Sequence, residues 1–208
     1  MKFFKNIFPL ALLIAFSATA SAQYLEYTAT DASKLWFDGT STLHDFTCHA
    51  NEIKSEVVFS AELLDGTAGT AQQGEIIIPV EQIKHDNDGL TKNMYKTLEP
   101  KKYPQITFVW NSIELTENQD ENSTINATVH GDLTVKDQTR DITIPVEIKG
   151  LANADTLQVV GNYPLFLSNF DIEQPSFFLG TLKVGDEFNI KFDMTFARTN
   201  NYEELTQR

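Results

Sequence analysis

Hydrophobic and polar positions alternate with period two over most of the chain, the signature of strands with one face buried and one face wet. Val57, Phe59, Ala61 and Leu63 alternate with Glu56, Val58, Ser60 and Glu62. The longest such run sets Ile125, Ala127, Val129, Gly131, Leu133 and Val135 against Asn126, Thr128, His130, Asp132, Thr134 and Lys136. Ile142, Ile144, Val146 and Ile148 follow, with polar spacers interrupted by Pro145, and Phe188, Ile190, Phe192, Met194 and Phe196 close the series. Lys191 falls on the wet face of the last run, where its replacement by Asp is expected to be silent. Weaker alternation marks Tyr24 to Ala29, Leu35 to Thr40, Thr42 to Ala50, Glu75 to Ile83, Gln105 to Thr116 and Leu157 to Leu167. About eight to ten strands result.

Turn residues punctuate them: Asp65-Gly66 with Gly69, Asn118 to Asn122, Lys136-Asp137-Gln138, Gly150 and Gly185-Asp186. No repeat of 20 to 50 residues is present, which disfavours propellers and solenoids. One segment keeps a different period. Leu90, Met94 and Leu98 stand at i, i+4 and i+8 between Asp88 and Pro100, predicting one short helix near residues 89–98. Its apolar stripe has to cover a barrel end or an adjoining sheet surface. Alternation alone fits a sandwich as well as a barrel, but runs of ten or more residues suit the long tilted staves of an eight-stranded antiparallel barrel.

The N-terminus adds a destination. Lys2 and Lys5 precede an apolar stretch from Ile7 to Phe16, followed by small residues ending in Ala20-Ser21-Ala22. This is the pattern of a secretory signal peptide at residues 1–22, cleaved after Ala22, and the apolar run is well short of the roughly 20 residues a bilayer requires. A periplasmic or secreted single domain over residues 23–208 is the expectation, without a stable membrane anchor. The formal charge of −13 becomes −15 once Lys2 and Lys5 are removed. So acidic a surface repels phosphate backbones and anionic headgroups, which argues against nucleic acid as a partner. Cys48 is the sole cysteine, so no intramolecular disulfide can form and stability must come from a core.

Catalytic chemistry finds little support. His44, His49, His85 and His130 lack metal-ligand spacing, and no metal is expected. No Gly-x-Ser-x-Gly or phosphate-binding glycine loop occurs, and Cys48 shares an apolar face with Phe46 and Ala50, which predicts a buried, inert thiol. The inward faces instead present Phe46, Val57, Phe59, Ile76, Ile78, Phe108, Trp110, Val129, Leu133, Phe188, Ile190, Phe192 and Phe196, with Met94 contributed by the helix. Eight staves enclose a space that such side chains either fill or leave open for one ligand, and composition does not choose between the two.

Four segments, in order, resemble the YceI-like family of exported, lipocalin-like proteins. They are Leu35-Trp36-Phe37-Asp38-Gly39-Thr40-Ser41-Thr42-Leu43-His44-Asp45-Phe46; the helix Leu90 to Leu98 leading into Lys102-Tyr103-Pro104-Gln105-Ile106-Thr107-Phe108; the hairpin Val129 to Ile142; and Phe166 to Ile172 followed by Val184 to Ile190. The chain departs from the family pattern at His44 to Cys48, which replace a basic-Gly-x-Phe approach, and at Asp171, where Gly often follows the Phe. The resemblance implies an eight-stranded antiparallel lipocalin-like barrel with a small helix and, in its lumen, a bound polyisoprenoid or similar amphiphile. Ser41, His44 and Asp45 become candidates to meet a headgroup. The expected function is therefore a non-catalytic carrier of a long apolar lipid, a polyisoprenoid or quinone, with no other cofactor, and a homodimer is compatible with it. The competing expectation is a structural or stress-related interaction module with a filled core.

Overall fold

A computed structural model describes residues 24–60, 74–119, 124–150, 155–177 and 180–201. The signal-peptide segment and the turn at Asp65 to Gly69 lie outside them, as do Ala61 and Leu63. The strands are β1 (Tyr24–Ala29), β2 (Lys34–Ser41), β3 (Phe46–Ala50), β4 (Lys54–Ser60), β5 (Gly74–Pro79), β6 (Ile83–Lys84), β7 (Gln105–Gln119), β8 (Ile125–Val135), β9 (Gln138–Lys149), β10 (Thr156–Phe166), β11 (Ser176–Phe177) and β12 (Leu182–Asn201). Helix α1 spans Asp88–Leu98, and 3-10 turns occupy Val80–Gln82 and Leu167–Phe170.

Antiparallel ladders run β1-β4-β5-β7-β8-β9-β10-β12, and β1 pairs back onto β12, so the sheet closes into an eight-stranded barrel. Each strand of this circuit is laddered on both sides over at least part of its length. Three staves are broken strands. β1 and β2 lie along one edge of β12, β1 against Phe196 to Asn201 and β2 against Val184 to Asp193. β4 and β3 follow on β1 and β2, and β5 and β6 on β4 and β3. The first break is pinned by Thr195, whose carbonyl accepts from the Thr30 amide (2.8 Å) and the Ser33 hydroxyl (3.0 Å). The third falls at Pro79, which has no amide to give a ladder and opens the Val80–Gln82 turn instead.

The alternation is realised most cleanly in β9, where Ile142, Ile144, Val146 and Ile148 are buried and Thr143, Pro145 and Glu147 are exposed. Tyr27, Leu157, Met194 and Phe196 join them in the largest apolar cluster.

Four local expectations change. The run Glu75 to Ile83 is interrupted by the 3-10 turn, and Thr42 to Ala50 becomes strand only from Phe46. Gly185-Asp186 is not a turn but part of a bulge inside β12: Val184 pairs with Ser41 and pairing resumes at Phe188 with Gly39. Glycine fits there because a Cβ would run into Thr40 Oγ1, and the Asp186 carboxylate accepts from the Ser168 amide (2.9 Å) and hydroxyl (2.6 Å). Lys191 is not a free surface residue, since its Nζ lies 2.8 Å from Asp38 Oδ2 across the β2–β12 ladder.

Candidate functional site

Two seams in the wall define the site. β10 pairs with β9 only from Gln158 to Gly161, and beyond Pro145 the two staves diverge. The divergence is filled by Leu167, Phe170 and Ile172, which bury themselves with Val135 and Phe188. At the second seam β6 ladders with β3, and among the described residues none of its ladders reaches β7. Here α1 supplies the cover.

The helix is built for that position. Asn87 caps it, its side-chain oxygen accepting from the amides of Gly89 (2.8 Å) and Leu90 (3.3 Å). Glu99 ends it in the left-handed region (φ 53°). Tyr95 donates its hydroxyl to the carbonyls of Glu81 (2.6 Å) and Ile83 (3.1 Å), tying the helix to the broken stave β5/β6. At the other end Lys136, in the two-residue β8–β9 turn, donates to the Thr97 carbonyl (3.1 Å) and to Glu99 Oε1 (2.5 Å). That cation meets a helix C-terminus, where the macrodipole favours it, and it holds the Glu99 carboxyl below the usual range.

Behind these covers runs one cavity of about 280 Å³, many times the roughly 10–15 Å³ that admits one water. Its wall is drawn from the staves together with Leu90, Met94 and Leu98 of α1. Phe46, Phe59, Ile76, Ile78, Met94, Phe108, Trp110, Val129, Leu133, Phe188, Ile190, Phe192 and Phe196 all line it. Val57 does not. It is buried at 1 % exposure in the core beside the cavity, packed under β1 and β12. Ser41 and His44 reach the lining, whereas Asp45 is exposed and stays outside it.

Further lining residues lie outside the expected site list. Ile142, Ile144, Val146 and Ile148 had a legible period and belong with the list. Tyr163 was hidden because Val159-Val160, Gly161 and Pro164 blur the period of β10, although the parity of Leu157, Val159 and Leu165 places it inward.

Cys48 lies in the lining, and burial pushes its thiol up to about 12. A thiol so far from ionisation is no nucleophile at neutral pH. No Lys, Arg, Asp or Glu contributes to the cavity wall among the described residues. Among those residues, no three His, Cys, Asp or Glu side chains gather as a metal site.

A closed antiparallel barrel with a helix-covered apolar lumen is an architecture with room for one small molecule. The YceI-like domain model matches residues 27–196, and the chain belongs to that family. Among solved structures it is similar to BcnA of Burkholderia cenocepacia, at 23% identity and TM-score 0.62 over 80% of this chain and 98% of that one. A polyisoprenoid binding domain from Saccharophagus degradans implicated in plant cell wall breakdown matches at 14% identity and TM-score 0.65, over 84% and 99%. The Campylobacter jejuni YCEI protein matches at 16% identity and TM-score 0.57, over 74% and 84%. No curated protein matches the chain in sequence.

Proposed function

We infer that the protein is an exported, non-catalytic carrier that holds a long apolar lipid, a polyisoprenoid or a quinone, in the barrel lumen. The observation that carries this reading is the cavity itself: an apolar space of about 280 Å³ lined from α1 and from every strand but β1. Each CH₂ moved there from water contributes about 0.8 kcal/mol, so a prenyl tail supplies affinity while a few polar groups orient its head. The family membership and the Saccharophagus domain described as polyisoprenoid binding support the same ligand class. Export is supported by the Lys2 to Ala22 pattern. A filled-core interaction module is the weaker reading, because large aromatic and aliphatic side chains line the space without closing it.

The test is native mass spectrometry of the protein purified from the periplasmic fraction, followed by organic extraction. The expected result is a chain beginning at Gln23 that releases one long-chain isoprenoid or quinone per barrel. Protein that releases nothing and also fails to admit a dye such as ANS would overturn the lumenal-carrier reading.

A further inference from the structure

The cavity wall is not uniformly inert: among the described residues, one lining hydroxyl has no hydrogen-bond partner. Ser41 Oγ donates to the His44 carbonyl (2.7 Å) and Thr97 Oγ1 to the Asn93 carbonyl (3.3 Å), so both hydroxyls are spent on their own backbone. Tyr95 and Tyr103 likewise bond through their hydroxyls, to main chain and to Asp137 (3.1 Å). Tyr163 is different. It lines the cavity from β10, on the inward parity of Leu157, Val159 and Leu165, and its hydroxyl has no hydrogen-bond partner among the described residues. Phenylalanine would give the same packing without this donor, and the Tyr163 oxygen is not among the buried, unpartnered polar atoms, so a ligand oxygen can reach it. Desolvation raises the phenol above its ordinary value, so it remains an O–H donor throughout the physiological range.

We propose that Tyr163 is the lumenal hydrogen-bond donor that receives an uncharged acceptor oxygen, such as a quinone carbonyl, carried on the apolar ligand. This rests on the lumenal-carrier reading and narrows it. With no fixed positive charge in the lining, and a chain of formal charge −13, the site is ill suited to a prenyl phosphate or a fatty carboxylate. A neutral carbonyl, by contrast, gains a bond from Tyr163 and sacrifices little hydration.

Trp110, in the same wall and stacked on Phe59 at 5.9 Å, is a fluorescent reporter for binding. Delipidated protein is titrated with decylubiquinone, with squalene as a hydrocarbon lacking oxygen, and with a polyprenyl phosphate, for the native chain and Tyr163→Phe. The expected result is that Tyr163→Phe weakens decylubiquinone roughly three- to tenfold, the range of one net hydrogen bond, leaves squalene unchanged, and melts no lower than the native protein. Squalene binding with equal decylubiquinone affinity in both proteins would overturn the role of Tyr163 while leaving the carrier reading intact. A polyprenyl phosphate bound as tightly as decylubiquinone would overturn the preference for an uncharged head. Failure of all three probes to bind the native protein would overturn both readings.

Discussion

The barrel has two halves built from the same residue types with different outcomes. Where β1 closes onto the last turns of β12, Tyr27, Val57, Leu157 and Met194 are at most 2 % exposed, and the edge of Tyr27 meets the ring of Phe59 at 5.6 Å. Where α1 and the Leu167–Phe170 turn complete the wall, Leu35, Phe37, Phe46, Leu165 and Ile190 are only half-buried although they point inward. The first half is closed by ladder hydrogen bonds and its side chains complete one another. In the second the two seams are covered by α1 and the Leu167–Phe170 turn rather than by ladders, and apolar surface remains facing the cavity. Inward direction and burial are therefore separate properties here.

The largest effect should come from truncating the same residue type in each half. Leu157→Ala removes a side chain with 0 % exposure from the sealed core and is expected to destabilise by about 3–5 kcal/mol, the transfer loss plus a new void. Leu165→Ala enlarges a space that already exists, forfeits only the partial burial of its side chain, and should cost about 1 kcal/mol. Urea unfolding of delipidated protein measures both. Equal losses would mean that the lumen half is packed as tightly as the sealed half, and the distinction would fall.

How much of this contrast was legible follows from what period two reports. Alternation gives direction, so Phe108, Trp110, Val129 and Phe188 were placed inward correctly, while the length of the runs favoured a barrel over a sandwich without deciding it. It does not report whether opposite walls touch. Val57 and Phe59 have the same signature, yet Phe59 reaches the cavity and Val57 is sealed beside it. The broken staves were harder still. The rests at 30–33 and 51–53 look like turns between separate strands, because nothing local shows that β1 and β2 share one edge of β12. Gly185-Asp186 reads as a turn for the same reason, since a bulge and a turn draw on the same residues. The helix was legible, as its i, i+4, i+8 stripe had no strand alternative.

A smaller effect is expected at the cover of the β9–β10 seam. Asp171 ends the Leu167–Phe170 turn in the left-handed region (φ 54°), which explains structurally why glycine would suit this place. A side chain there is strained by about 1–2 kcal/mol, part of which glycine returns through greater freedom of the unfolded chain. The ion pair with Arg140, 3.7 Å away and largely exposed, compensates little. Asp171→Gly should therefore raise stability by about 0.5–1 kcal/mol, read as a higher urea midpoint at unchanged slope. A lower midpoint would show that Asp171 secures the cover by its charge rather than merely tolerating its backbone.

The smallest effect lies on the outer surface of the same half, and it is pH-dependent. Asp38 accepts from Lys191 Nζ (2.8 Å) and from the Thr47 hydroxyl (2.6 Å), and these bonds hold its carboxyl below the usual range. A depressed folded value means that the charged form is favoured by folding. The contribution is complete above the ordinary carboxylate value of about 4 and disappears as pH falls through the lower folded value. More than a third of each side chain is exposed, so solvent screening keeps the pair within about 1 kcal/mol. Asp38→Asn should accordingly be less stable than the native protein by up to that amount at pH 7, and the gap should narrow below about pH 4. Lys191→Asp should give a loss of the same order at pH 7, because it places a second carboxylate beside the first. A gap that stays constant from pH 7 to pH 3 would mean that the β2–β12 ladder is held here by its backbone bonds and not by the charges across it.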